Sequence, residues 1–303
     1  MTPRSWLFVP GDSSRKLEKA ASAGADALII DLEDSVADSG KEEARRATAA
    51  YLASSGRAAS MWVRVNPLSS SCVADVHAVA CPALAGVVLP KCEGGADLAR
   101  LGDILLAVEK ERGLDPGHIR VLPIVTETAA AIFLMNSFAP APPRMAGMTW
   151  GAEDLSSAVG ASSPRDDAGE LTMPYQMARS FCLFAAAAAN VAAIETVYPN
   201  FRDLAGLANY AARGRRDGFR GMMAIHPSQV PIINQAFAPS DEEVRRASEI
   251  IALFANQPGA GTLALRGEMI DRPHLRQAQN VLARAQQGEP DGSAKTPRPK
   301  SRL

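Results

Sequence analysis

Residues 27–34 read ALIIDLED. Four apolar residues stand together with no polar residue between them, so a strand formed here is buried on both faces, as in a parallel sheet covered by helices. The run ends abruptly on Asp31, Glu33 and Asp34. Seven further runs share this design: WLFVPG (6–11), MWVRVN (61–66), GVVLPK (86–91), VLPIVTE (121–127), MAGMTWGAED (145–154), AIETVY (193–198) and MMAIHP (222–227). Between most of them lie Ala-, Leu- and charge-rich segments with helical spacing, such as SRKLEKAASAG (14–24) and DLARLGDILLAVEKERG (97–113), the second closing on Gly113 as a helix C-cap. Eight strand–helix units predict a (β/α)8 TIM barrel rather than an open doubly wound sheet. No GxGxxG follows the first run, which weighs against dinucleotide binding.

The chain continues past the eighth unit. In PSDEEVRRASEIIALFANQ (239–257), Ser240 with Glu243 three residues on is a capping-box signature, and Val244, Ala247, Ile251 and Phe254 fall on one helical face. That face needs a surface to cover it. A second helix is expected over RPHLRQAQNVLARAQQ (272–287), whereas GEPDGSAKTPRPKSRL (288–303) has almost nothing to bury and reads as a disordered tail. The expected organisation is a catalytic barrel over 1–235, a helical extension and lid over 236–287, and the tail over 288–303.

Of 303 residues 47% are hydrophobic, enough for a large core, and the formal net charge is −1 without long like-charge runs, which disfavours nucleic acid and anionic membranes as partners. A small anionic substrate needs only local charge. Cys72, Cys81, Cys92 and Cys182 match no zinc spacing and read as reduced structural thiols. No apolar run is long enough for a signal peptide or a membrane helix, so a cytoplasmic protein is expected.

In a parallel barrel the chemistry sits where strands end. Here those ends carry Asp31, Glu33 and Asp34, then Arg64, Lys91, Glu127, Glu153 with Asp154, and His226. An acidic cluster facing an arginine suits a divalent ion and an oxyacid. Mg²⁺ is held by one or two protein carboxylates while waters and substrate fill its other positions, and Glu127 and Asp154 could supply those two. Arg64 offers a planar fork for a substrate carboxylate, and the small Gly151 and Ala152 let backbone N–H groups approach the same group. The plainer readings are solvated loop carboxylates and an arginine ion-paired with Glu33 or Asp34. Lys91 as a Schiff-base nucleophile is disfavoured because acidic neighbours keep it protonated. His226 before Pro227 reads as a packing residue, and Asp271 before Pro273 could simply cap a helix.

The blocks RSWLFVPGDSSRKLEKAASAGADALIIDLEDSV, VRVNPL, VVLPKCE, LPIVTET, WGAEDLS and AIHPSQV, in this order, resemble the citrate lyase β-subunit-like branch of the HpcH/HpaI aldolase superfamily, over roughly residues 4–285. The resemblance implies a Mg²⁺-dependent lyase, with Mn²⁺ as an alternative ion, that cleaves a β-hydroxyacyl-CoA thioester to acetyl-CoA and a 2-oxo acid. By motif position it implies Glu127 and Asp154 as metal ligands and Arg64 at the oxo acid and developing oxyanion. Glu127, Gly151, Ala152 and Glu153 would contact substrate, with Glu33 and Asp34 orienting Arg64 or metal-bound water. GEMIDRPHLRQA (267–278) resembles the lid of malyl-CoA lyase-like members, which implies Asp271 as an acid/base delivered to a neighbouring subunit of a homotrimer or homohexamer. Two departures stand out: Glu195 where Asp is usual, and no Lys near Met222, a change expected to bear on the CoA pocket. Competing readings are a metal-dependent 2-oxo acid aldolase, a malate synthase or thioesterase on the same site, and a non-catalytic acyl-thioester-binding subunit of a citrate lyase-like complex.

Overall fold

The computed structural model describes residues 2–54 and 59–285. These fall into two compact units, residues 2–237 and the segment from Ala238 onward. The tail expected over 288–303 lies outside the described residues.

The first unit alternates strand and helix: β1 (Ser5–Pro10), α1 (Ser14–Ala21), β2 (Ala27–Asp31), α2 (Lys41–Ser54), β3 (Ser60–Arg64), α3 (Cys72–Val79), β4 (Leu84–Leu89) and α4 (Gly95–Arg112). There follow β5 (Arg120–Pro123), α5 (Ala129–Phe133), β6 (Gly147–Thr149), α6 (Glu153–Ala158), α7 (Met173–Ala188), β7 (Ala192–Glu195), α8 (Leu204–Asp217), β8 (Gly221–Ala224) and α9 (Val230–Phe237). All eight apolar runs are strands, and they form one parallel sheet in the order β5-β4-β3-β2-β1-β8-β7-β6. Parallel bridges from Val121 to Met145 and from Ile124 to Thr149 join the two end strands, with Val125 N–H donating to Thr149 O at 2.9 Å, so the sheet closes into a (β/α)8 barrel. Each strand is shorter at its C-terminal end than its apolar run. Glu33, Lys91 and Glu127 thereby stand in the loops that follow, and Asp154 in the first turn of α6.

Alternation along the strands sorts side chains between two layers. Trp6, Ala27, Ile29, Trp62, Val88, Leu122, Ile124, Ile194 and Met223 fill the lumen, while their neighbours in sequence pack outward against the helices. Trp6 and Trp62 meet edge-to-face with ring centroids 5.1 Å apart, and a Cβ at Gly86 would stand 2.3 Å from the Trp62 ring. The indole therefore dictates a glycine on the adjacent strand, and the barrel is plugged below its polar mouth. Gly113, at φ 67°, ends α4 in the left-handed conformation that suits glycine. Cys72, Cys92 and Cys182 are buried, Cys81 is partly so, and all four are free.

The second unit consists of α10 (Asp241–Asn256), an antiparallel hairpin of β9 (Thr262–Leu265) and β10 (Glu268–Asp271), and α11 (Arg272–Ala285). Ser240 and Glu243 close a reciprocal capping box at the start of α10. The apolar face of α10 is covered within this unit, because Ala247, Ile250 and Phe254 pack with Ile270, Ala278 and Val281. The surface that this face needs is thus supplied by the hairpin and α11. The hairpin was not anticipated. Its two-residue turn, Arg266 at φ 51° and Gly267 at φ 86°, has the doubly positive φ of a type I′ turn.

Candidate active site

The inward alternation of β2 and β3 brings Asp31 and Arg64 side by side at the end of the lumen, where they are register partners. Arg64 donates from Nε and Nη2 to the two Asp31 oxygens, both at 2.7 Å, and its guanidinium lies 5.0 Å from the centre of the Phe8 ring. Its Nη1 lies 3.0 Å from Glu33 Oε2 and 3.7 Å from Asp34 Oδ2. Glu33 Oε2 nevertheless completes no hydrogen bond. The expected partners Glu33 and Asp34 are thus beside Arg64, but the bidentate partner is Asp31. The signal was its place two residues after Ile29, on the lumen side of β2. Burial opposes the Asp31 charge, yet the bonds from Arg64 outweigh it and hold that carboxyl below its ordinary range.

Lys91 occupies the loop after β4 with φ 52°, a backbone conformation uncommon outside glycine. Its N–H donates to Glu127 Oε2 at 2.5 Å, its ammonium binds Glu33, and the same ammonium lies 3.5 Å from Asp154 Oδ1. One residue thereby joins three carboxylates from three different strand ends. Burial opposes the Lys91 charge, but Glu33 overcomes this and raises its pKa, so the amine stays protonated and is no Schiff-base nucleophile.

Glu127 is almost completely buried. Burial pushes its pKa up to about 8; the Lys91 N–H counteracts, while the Asp154 and Glu33 charges add to the rise. Gly151 makes room for it, since a Cβ there would stand 3.0 Å from Glu127 Cγ. The Gly151 N–H, expected to face substrate, is instead bonded to Thr126 Oγ1 at 3.0 Å, while that hydroxyl donates back to Gly151 O at 3.1 Å. Ala152 and Glu153 open α6, whose first-turn N–H groups have no partner within the helix.

These groups fit a divalent ion. Glu127 and Asp154 are hard oxygen donors, and Glu127 carries a proton near neutral pH that a cation would replace. Among the described residues no group of three or more His, Cys, Asp or Glu could enclose a metal, so an ion here would be completed by water and substrate oxygens. That is the usual coordination of Mg²⁺.

Asp271 belongs to the second unit, where it ends β10. His274 Nδ1 lies 2.6 Å from Asp271 Oδ1, and the His274 N–H points to the same oxygen at 3.4 Å, so the carboxylate also caps α11. Hydrogen bonding to His274 lowers its pKa. His226 stacks on Phe201 and accepts the Ser228 N–H, in keeping with a packing and capping residue.

The two departures lie away from the mouth. Glu195 is fully buried on the helix side of β7, accepting from Trp150 Nε1 at 2.6 Å, Arg179 Nε at 2.7 Å and Tyr210 Oη at 3.2 Å. Met222 is buried in the same strand–helix layer.

A (β/α)8 barrel with carboxylates, an arginine and a lysine converging on its C-terminal mouth is an enzyme scaffold, and residues 4–227 match the HpcH/HpaI aldolase/citrate lyase family. The chain belongs to that family. It is 35% identical to (3S)-malyl-CoA thioesterase of Cereibacter sphaeroides, covering 93% of this chain and 94% of the relative. It is 31% identical to mitochondrial citramalyl-CoA lyase of Rattus norvegicus, covering 93% and 86%. Among solved structures, CitE of Mycobacterium tuberculosis in complex with magnesium, acetoacetate and coenzyme A superposes with a TM-score of 0.74 at 31% identity, covering 93% of this chain and 98% of that one.

Proposed function

We propose that this protein is a Mg²⁺-dependent carbon–carbon lyase that cleaves, or in reverse forms, a β-hydroxyacyl-CoA thioester such as malyl-CoA or citramalyl-CoA, giving acetyl-CoA and a 2-oxo acid. The observation that carries this reading is the meeting of Glu127 and Asp154 with the Arg64–Glu33–Lys91 cluster at one end of the barrel. Glu127 and Asp154 would hold the ion, which when bound supplies Lewis-acid polarisation of the 2-oxo carbonyl.

The remaining roles fall to the chain. Arg64, anchored from behind by Asp31, presents Nη1 and Nη2 to the carboxylate of the oxo acid and to the charge developing on its oxygen. Glu33 and Asp34 fix the guanidinium from the side, and the amides of Ala152 and Glu153 add donors. In the condensation direction Asp271 takes a proton from the acetyl-CoA methyl group, whose carbon then attacks the oxo carbon, and the oxygen of that carbonyl takes a proton from solvent. In cleavage solvent takes the hydroxyl proton, the carbon–carbon bond breaks, and Asp271, protonated from solvent, gives its proton to the departing carbon.

Delivery of Asp271 from a neighbouring chain, a homotrimer or homohexamer, and a cytoplasmic location complete the proposal. The support for assembly is an exposed apolar stripe on α7: Met173, Met177, Phe181 and Phe184, exposed by 71%, 50%, 37% and 65%. No helix among the described residues is long and apolar enough to cross a membrane. Hydrolysis of the hydroxyacyl thioester on the same site is the second reading, favoured by likeness to the malyl-CoA thioesterase. Mixing inactive Asp271→Asn and Asp154→Ala chains tests the shared site: activity returns if the lid crosses a subunit boundary. If the chains exchange and none returns, the lid serves its own chain or Asp271 is not the base.

A further inference from the structure

We propose that Lys91 is the resident counter-cation of the metal site: its ammonium holds Asp154 and Glu33 together while no divalent ion is bound, and leaves Asp154 when one binds. This rests on Glu127 and Asp154 being the ligands. Three observations converge on it.

The first is the backbone. Among the described residues Lys91, Asn190 and Arg266 are the non-glycine residues with positive φ. Asn190 follows α7 and Arg266 lies in the hairpin turn, where such φ values are ordinary turn chemistry. Lys91 alone of the three adopts it in the mouth of the barrel, where strain signals a positional demand. The second is the pattern of contacts. The N–H of Lys91 is fixed on Glu127, its ammonium is held by Glu33, and the same ammonium lies 3.5 Å from Asp154 Oδ1, so this one residue touches both ligands. The third is charge. Among the described residues the side-chain ion pairs of Asp31, Glu33, Asp34 and Asp154 run to Arg64 and Lys91, the Lys41 ammonium being held by the backbone oxygens of Leu32 and Glu33, and Arg64 is engaged by Asp31, Glu33 and Asp34. Lys91 is the cation beside Asp154.

An ammonium 3.5 Å from a carboxylate oxygen and a divalent ion on that same carboxylate repel strongly at the effective dielectric of a partly buried site. Ion binding therefore displaces the ammonium toward Glu33, its other partner. Lys91 competes with the metal, and it keeps Asp154 in place when the metal is away. A lysine that merely shaped the site would have the opposite effect, since its loss would weaken metal binding.

The sign of that effect is the test. Calorimetric titration of MgCl₂ into the full chain, freed of metal, compares wild type with Lys91→Met and Lys91→Gln, and Asp154→Asn serves as the control. Both lysine variants should bind Mg²⁺ roughly tenfold or more tightly than wild type. Their melting temperature without metal should fall, and Mg²⁺ should restore it. A variant that folds only with Mg²⁺ supports the inference, because the ion then stands in for the ammonium. Unchanged or weaker Mg²⁺ affinity in both variants overturns it. Equal affinity in wild type and Asp154→Asn would show instead that the ligand assignment itself is wrong, and the inference would fall with it.

Discussion

Replacing Glu127 by Gln removes one ionisation from the centre of the mouth while keeping shape and an acceptor for the Lys91 N–H. Burial raises the Glu127 carboxyl from its ordinary 4.5 to about 8. Between these two values the folded chain keeps a proton that the unfolded chain has released, so stability falls as pH rises from 4.5 to about 8 and is level beyond either end. At ~1.4 kcal/mol per pH unit this interval corresponds to about 5 kcal/mol. In a domain of this size that is a drop in melting temperature on the order of 10 °C. The assay is thermal unfolding of wild type and Glu127→Gln in a chelator, from pH 5 to pH 9. The two curves should nearly meet at pH 5 and diverge steadily toward pH 8, the variant being the more stable. Mg²⁺ should stabilise wild type increasingly over the same interval, since it takes the deprotonated carboxylate, and should do far less for the variant. Parallel curves, with no divergence above pH 5, would refute the view that a desolvated carboxyl waits there for a cation.

Arg64→Lys keeps the charge but loses the fork that serves Asp31 on one edge and substrate on the other; kcat/KM should fall on the order of 100-fold or more, and near-normal kinetics would reduce Arg64 to a simple charge. Glu195→Gln strips the fully buried Arg179 partner of its charge and should cost about 3–5 kcal/mol in urea unfolding. A loss below about 1 kcal/mol would mean that Trp150 and Tyr210, together with Asp217, whose Oδ2 lies 2.7 Å from Arg179 Nη1, suffice to hold that network together.

The barrel was legible because a parallel strand covered on both faces is written as an uninterrupted apolar run, and each of the eight runs became a strand. The mouth was partly legible for the same reason, since a charge closing such a run has few places to go except the strand end. Which charges pair was harder to read. Arg64 finds Asp31 through cross-strand register between β2 and β3, and Lys91 finds Glu33 58 residues away. Neither distance is encoded in local spacing. Thr126 takes the Gly151 N–H through a loop-to-loop contact that composition does not reveal. The hairpin β9–β10 escaped because its strands are four residues each and mostly exposed, with Ile270 its one fully buried side chain. Ile270 also helps to cover the apolar face of α10, a contact that helical spacing alone does not reveal.

The central claim is that these residues break or make a carbon–carbon bond next to a CoA thioester with the help of a divalent ion. The most direct measurement is mass spectrometry of the products formed by the purified chain from malyl-CoA and citramalyl-CoA, with Mg²⁺ and again with excess chelator. The account predicts acetyl-CoA together with glyoxylate or pyruvate, formed only with the metal and absent from Asp154→Ala. Release of free CoA and the intact hydroxy acid, or turnover that the chelator leaves unchanged, would contradict it.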